Sequence, residues 1–215
     1  MRHTFSSVLA AVTGILLASG LSSHTAAASN VAESGRTSIA IRTYTRPASA
    51  GEMRTARHTA SAILERAGIR AFWLECALPG AVTADDPCKE PPRRNEVVVR
   101  VVTAGSMDRR PHADTLGFAF VDVDAGHGSL ATVYADRVAT MARDAGIDSA
   151  ELLGRTMAHE VGHLLLGTNQ HGPHGLMRAS WSGADLRRNR ATQWLFDGQE
   201  AEAMRQGLAR RAPAI

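Results

Sequence analysis

The distribution of apolar residues along the chain predicts five short strands. Residues 38–46 place Ile39 and Ile41 on one side of an alternating pattern, which is typical of a strand with one buried face. Residues 96–103 hold an almost continuous run of valines, which favours a strand that is buried on both faces. The remaining predicted strands are residues 69–74, 116–124 and 131–134.

A spacing of three or four residues between apolar positions predicts four helices. Residues 51–67 keep this spacing until Gly68, where the pattern stops. A long helix begins after Asp148, whose side chain can accept from free backbone N–H groups, and carries an apolar stripe from Leu152 to Leu165. The other two predicted helices are residues 136–145 and 198–210, with Asp197 as the expected cap of the latter.

This order of elements predicts an α+β fold. We expect a mixed, twisted sheet in which the helix over residues 51–67 crosses over between two strands. The long helix after Asp148 and the C-terminal helix would pack against that sheet. Residues 38–215 are long enough for one domain with one sizeable core, and residues 29–37 are expected to be a disordered leader.

Residues 1–28 are predicted to be a secretory signal peptide. Arg2 supplies a basic start, an apolar run continues to Leu21, and Ala26–Ala28 offers a small-residue cleavage site. A membrane anchor is the alternative, but the run is short for a hydrocarbon core of about 30 Å. The mature protein is therefore expected to be secreted or periplasmic, with no membrane span after removal of the signal.

Cys76 and Cys88 are the two cysteines of the chain. Because an exported protein meets an oxidising compartment, a disulfide between them is the expected state. In the chain-entropy account, closing so short a loop stabilises the fold by about 3 kcal/mol.

The charge of the chain does not indicate a nucleic-acid partner. The formal net charge is +3 at pH 7, and no basic stripe is interleaved with aromatic residues. Arginine pairs occur at four separate places, and each is most simply interpreted as part of a solvated face. The pairs are Arg93–Arg94, Arg109–Arg110, Arg187–Arg188 and Arg210–Arg211. Nothing in the sequence specifies an oligomeric state.

The segment His159-Glu160-Val161-Gly162-His163 carries the strongest chemical signal. Residues four apart lie on one face of a helix, so His159 and His163 can offer two imidazole nitrogens to a single metal ion. Neutral imidazole suits zinc, and a catalytic zinc site uses three protein ligands and one open position. Glu160 is placed beside the two histidines as a general base, so the sequence predicts a Zn²⁺-dependent hydrolase.

Three further features resemble the metzincin metallopeptidases, whose pattern is HExxHxxGxxH followed by a Met-turn. Gly167 and His171 follow the two helical histidines, and Gly175-Leu176-Met177 comes shortly after them. The resemblance implies that His159, His163 and His171 bind Zn²⁺ and that Glu160 is the catalytic base. It also implies a metzincin-like zincin fold, in which Met177 lies beneath the ligands without binding the metal.

The spacing to His171 is two residues longer than in the family pattern. On a continuing helix, a residue twelve positions after His159 would point about 120° away from it. His171 can therefore be a ligand only if the chain leaves the helix near Gly167 and folds back, which a glycine at that place favours. His174 is the competing third ligand and depends on the same loop.

By this resemblance we expect an exported zinc endopeptidase that acts on a peptide or protein substrate. The strand over residues 117–121 is a candidate edge for an extended substrate, as in the family. One alternative is a gluzincin-like peptidase that takes its third ligand from Glu200 or Glu202. The other is a zinc-binding protein with this fold and no turnover, which the longer spacing to His171 would favour.

Gly162 lies between the two helical histidines. A glycine inside a helix costs about 1 kcal/mol relative to alanine, so its presence predicts a close neighbour at that point. Trp181 follows the Met-turn and is expected mainly to anchor the core, with a wall of the substrate pocket as its second possible role.

Overall fold

The computed structural model describes residues 37–46, 48–77, 86, 88–106 and 115–211. The predicted signal peptide, and the leader up to residue 36, lie outside these ranges. The strands are β1 (Thr37–Thr45), β2 (Ile69–Glu75), β3 (Glu96–Val102), β4 (Gly117–Asp122) and β5 (His127–Tyr134). The helices are α1 (Ala50–Arg66), α2 (Ala135–Ala145), α3 (Ser149–Leu166), α4 (Gly183–Arg188) and α5 (Gly198–Arg211), with short 3₁₀ turns at Ala104–Ser106 and Ala191–Trp194.

The strands form one mixed sheet in the order β2-β1-β3-β5-β4. Strands β2, β1, β3 and β5 run parallel to one another, and β4 is antiparallel to β5. Helix α1 connects the parallel strands β1 and β2, so it is the expected crossover helix. The predicted α+β fold with a mixed sheet is confirmed, and β4 lies at one edge of the sheet.

The core lies between the sheet and helices α1 and α3. Helix α1 begins after Ser49, whose hydroxyl accepts from the Glu52 N–H, and its apolar face is buried. On the sheet, Val97, Val99 and Val101 of β3 are fully buried. The residues between them are only half-buried, so the expected burial of both faces of β3 is wrong.

Two elements differ from the sequence expectations. Strand β5 starts at His127, four residues before the predicted start at residue 131, because it pairs along its length with β4. Helix α4 was not expected at all. It is set by a capping box in which Ser182 accepts from the Asp185 N–H and the Asp185 carboxylate accepts from the Ser182 N–H.

Cys76 and Cys88 form the expected disulfide, with their Cα atoms 5.4 Å apart. Cys76 follows the edge strand β2, and its N–H donates to the Thr43 carbonyl of β1. Among the described residues, none of the helices has both the length and the apolar character needed to cross a membrane.

Helices α1 and α3 cross where Gly154 meets the backbone of α1. A Cβ at Gly154 would lie 2.4 Å from the Ala56 carbonyl oxygen and 2.6 Å from the Thr59 Cβ. Because one of these atoms is backbone, the helices would have to separate to admit a methyl group. The absence of a side chain at Gly154 therefore sets the distance between the two helices.

We predict that Gly154→Ala destabilises the protein by about 1 to 3 kcal/mol, because the added methyl overpacks the helix crossing. The free energy of unfolding is measured by chemical denaturation. Gly105→Ala is the matched control, since a Cβ there meets nothing within 4 Å, and it should change stability by less than about 0.5 kcal/mol. A stabilised Gly154→Ala variant, as helix propensity alone would give, would contradict this account of the crossing.

Candidate metal centre

Helix α3 carries the site and is fixed at both ends. Asp148 accepts from the Glu151 N–H at 2.7 Å, as expected for its N-cap. The Glu151 carboxylate does not reach back to the cap, because it pairs with Arg155 instead. Gly167 ends the helix in the left-handed conformation, with a φ of 71°, and its N–H donates to the His163 carbonyl.

The two helical histidines are buried and oriented by backbone carbonyls. His159 Nδ1 lies 2.9 Å from the Leu176 oxygen, and His163 Nδ1 lies 2.8 Å from the Thr168 oxygen. Since a carbonyl can only accept, each Nδ1 carries the hydrogen and each Nε2 keeps its lone pair. This arrangement is the usual means by which a protein fixes the tautomer of a metal-binding histidine.

The three Nε2 atoms converge. The distance from His163 Nε2 is 3.1 Å to His159 Nε2 and 3.3 Å to His171 Nε2. Two nitrogens bound at 2.0 to 2.1 Å to one tetrahedral ion would lie about 3.4 Å apart. Among the described residues, His159, His163 and His171 form a group whose ligand atoms lie within 4.8 Å of one another. The donor set therefore fits a tetrahedral zinc ion with one open position.

The turn after Gly167 brings His171 back to the helix. A Cβ at Gly167 would lie 2.2 Å from the Gly126 carbonyl oxygen, so both the positive φ and the close packing require glycine there. The ring of His171 stacks on that of His159 with the centroids 5.3 Å apart. His174 is exposed and lies near Glu200, outside the group of three.

Burial keeps the imidazoles neutral. Desolvation lowers the pKa of His159 to about 3, with a further contribution from His163, and lowers the pKa of His163 to about 4. The pKa of His171 is also lowered by burial. The neutral ring is the form that binds a metal ion, so the site is ready to bind one at neutral pH.

Glu160 is a buried carboxyl group with one oxygen left free. Glu160 is only 4% exposed, and its Oε2 has no hydrogen-bond partner among the described residues. Burial raises its pKa to about 8. On its other side, a Cβ at Gly117 of β4 would lie 2.7 Å from Oε1, so the carboxyl group fits closely against the backbone of the edge strand.

Met177 and Phe196 lie against the helix at Gly162. A Cβ at Gly162 would be 2.6 Å from the Phe196 ring and 2.8 Å from the Met177 sulfur, so the close neighbour expected there is present. Met177 is buried at 1% exposure and contributes an apolar floor under the helix. Trp181 packs edge-on against His159 and Trp194, at centroid distances of 5.6 and 5.4 Å.

A cleft of about 730 Å³ opens in front of these groups. Its walls are residues 115–119, which include the start of β4, and residues 178–181 after Met177. Trp181 packs in the core, as expected, and it also lines this cleft, while its role as a wall of a substrate pocket stays a prediction. Met141, Asn169 and Arg178 also line the cleft and were missed by sequence reasoning, because no local pattern marks a residue that lines a cleft.

The two late glutamates face other partners. Glu200 accepts from the Asp197 N–H at 2.8 Å, which caps α5. Glu202 is exposed and pairs with Arg205 at 2.5 Å. Neither belongs to the group of three histidines, so the geometry does not supply the carboxylate ligand that a gluzincin-like site requires.

No protein-family model and no curated protein sequence matches the chain. Among solved structures, the chain is similar to the crystal structure of an archaemetzincin from Methanopyrus kandleri, with a TM-score of 0.47 and 15% sequence identity. The match covers 82% of this chain and 97% of that one. At this level of similarity, the assignment of a function rests on the site alone.

The raised pKa of Glu160 predicts how the stability of the metal-free protein depends on pH. The unfolded carboxyl ionises near pH 4.5 and the folded one near 8, so the folded state retains a proton that the unfolded state has released. Stability therefore falls as the pH rises through this window. Glu160→Gln, which stays neutral, should be more stable than wild type at pH 8 by on the order of a few kcal/mol, and equal to it at pH 4.

Chemical denaturation of metal-free wild type and Glu160→Gln at the two pH values measures this difference. Glu65→Gln is the control, since it makes the same substitution at an exposed position of α1. Parallel pH profiles for wild type and Glu160→Gln would show that the buried carboxyl is not the cause.

Proposed function

We propose that the protein is a zinc-dependent endopeptidase of the metzincin type. The observation that carries this proposal is the convergence of three histidine Nε2 atoms beside a buried carboxyl oxygen without a partner. Three nitrogens with an open fourth position are the donor set of a hydrolytic zinc site. A free carboxyl next to the open position is the general base that such a site uses.

Each residue of the site has a distinct proposed role. His159, His163 and His171 hold the metal, and the Leu176 and Thr168 carbonyls hold the first two rings in place. When bound, Zn²⁺ supplies a Lewis acid that activates water and polarises a substrate carbonyl. Glu160 accepts the proton from the attacking water and then passes it to the leaving amine.

Strand β4 is proposed to hold the substrate. It lies at the edge of the sheet, and Gly117 to Ala119 line the cleft beside Glu160. An extended peptide can pair with such an edge through main-chain hydrogen bonds, which places its scissile carbonyl near the metal. The close fit of Gly117 against Glu160 fixes the distance between this edge and the base.

The alternative without turnover is disfavoured by Glu160. A protein that only holds zinc needs the three histidines, and a buried carboxyl group without a hydrogen-bond partner lowers its stability. The presence of that group at 4% exposure therefore favours a catalytic role. Residues 38–215 would be the catalytic domain.

The protein is also proposed to be exported, to the periplasm or beyond the cell. The sequence of residues 1–28 has the layout of a signal peptide, and Cys76 and Cys88 form a disulfide. A disulfide persists in an oxidising compartment, which agrees with export. The substrate is then a peptide or protein met outside the cytoplasm.

We predict that His171→Ala and His174→Ala differ in zinc binding. His171→Ala should lower the affinity for zinc by roughly ten-fold or more, because it removes one of three ligands. His174→Ala, the matched control in the same loop, should keep about one zinc per chain. Metal analysis after dialysis against a zinc buffer measures both variants. Retention of zinc by His171→Ala with loss from His174→Ala would reverse the assignment of the third ligand.

Glu160→Gln should retain zinc and lose peptide cleavage by about 10² to 10⁴-fold, because only the proton transfer is removed. Zinc content and cleavage of a broad peptide mixture are measured on the same samples. Cleavage at the wild-type rate by this variant would exclude Glu160 as the base. Zinc-loaded wild type that cleaves no peptide in the mixture would favour the alternative without turnover.

A further inference from the structure

Two of the four arginine pairs in the sequence line a single pocket on the described structure. Arg93–Arg94 lies in the segment before β3, and Arg210–Arg211 ends helix α5. Together with His127 at the start of β5, these residues line a cavity of about 570 Å³, which we call the arginine pocket. It shares no lining residue with the cleft in front of the three histidines.

The positive charge of the arginine pocket is not balanced by carboxylates. Among the described residues, none of its four arginines forms an ion pair. Glu96 also lines the pocket, but its carboxylate is held by Arg42 at 2.6 Å and accepts from the Arg93 N–H at 3.1 Å. Like charges brought together in this way repel, so the arrangement favours the binding of an anion.

Arg211 is the buried member of the arginine pocket. It is 7% exposed, and its Nη2 donates to the Gly128 and Leu164 carbonyls, each at 2.6 Å. Its Nε has no hydrogen-bond partner among the described residues. A buried guanidinium that donates to carbonyls and pairs with no carboxylate has no counter-charge beside it, which favours an anion nearby.

The segment that carries the exposed pair Arg93–Arg94 is held in place by hydrogen bonds. Arg42 on β1 is 3% exposed and donates to the Glu90 carbonyl at 2.5 Å and to the Glu96 carboxylate at 2.8 Å. The Glu96 N–H donates to the Arg93 carbonyl at 3.0 Å, which closes a turn at this pair. The backbone that carries these two arginines is therefore positioned before any ligand arrives.

We propose that the arginine pocket binds a phosphorylated ligand through its phosphate oxygens. Guanidinium groups match a phosphate with two parallel hydrogen bonds, which makes arginine well suited to this anion. The cavity is large enough for a diphosphate or for a phosphate group attached to a larger molecule. A soluble phosphorylated molecule and the phosphorylated headgroup of a lipid share this chemistry.

The test compares two variants that each remove two positive charges. Arg93→Ala/Arg94→Ala removes the exposed pair and spares Arg211, which bonds the backbone. Arg54→Ala/Arg66→Ala removes two exposed arginines of α1 that do not line the arginine pocket. The zinc-loaded protein and both variants are titrated with sodium pyrophosphate by calorimetry, and with vesicles of phosphatidylglycerol or of phosphatidylcholine by co-sedimentation. Thermal unfolding checks that each variant is folded.

We expect wild type and Arg54→Ala/Arg66→Ala to bind alike, and Arg93→Ala/Arg94→Ala to bind at least ten-fold more weakly. Loss in the pyrophosphate arm identifies a soluble ligand, and loss confined to phosphatidylglycerol vesicles identifies a lipid headgroup. Absence of binding in both arms overturns the proposal. Equal weakening of both variants also overturns the proposal, because it shows an effect of net charge alone. Binding that Arg93→Ala/Arg94→Ala leaves unchanged overturns it as well, because the pyrophosphate would then be bound elsewhere, for example at the zinc ion.

Discussion

The burial of helix α3 on almost all sides is the constraint on which the site depends. Every residue from Leu152 to Leu165 is buried. A helix in such surroundings must satisfy its polar side chains within the protein, because water does not reach them. His159 and His163 do so by donating to the Leu176 and Thr168 carbonyls. The polar atom left over is the free oxygen of Glu160.

The same burial explains the protonation of the site. Desolvation disfavours charge, so it lowers the pKa of the two imidazoles and raises that of the neighbouring carboxyl. One physical cause thus produces neutral ligands and a carboxyl group whose affinity for a proton is increased. A bound cation would favour the ionised carboxylate and reverse part of this effect, which couples the protonation of Glu160 to the occupancy of the candidate metal site.

Close approach to α3 depends on glycines in three places. Gly154 admits the backbone of α1, and Gly162 admits Phe196 and the Met177 sulfur. Gly207 of α5 comes so near that a Cβ there would lie 2.2 Å from the Leu165 carbonyl oxygen. Each contact fixes the helix from a different direction, so the histidines project from a part of the structure that has little freedom to move.

Local chemistry was predictable from the sequence, and long-range assembly was not. The Asp148 cap and the end of α3 at Gly167 are encoded within one turn of chain, and the spacing of His159 and His163 is encoded in the helix itself. Helix α4 also had a local signal, the Ser182-x-x-Asp185 capping box, which was overlooked. The choice between His171 and His174 depends on the path of a loop that no periodicity describes.

The arginine pocket is a second feature that the sequence alone does not predict. Each pair, taken alone, has the composition of a solvated surface, and only the fold brings Arg93–Arg94 beside Arg210–Arg211. Arg211 also supports the helix that carries the histidines. Its Nη2 ties the Leu164 carbonyl, one residue after His163, to Gly128 of the sheet, while its Nε remains unused. Because Leu164 directly follows His163, Arg211 connects the arginine pocket to the helix that carries two of the three histidines.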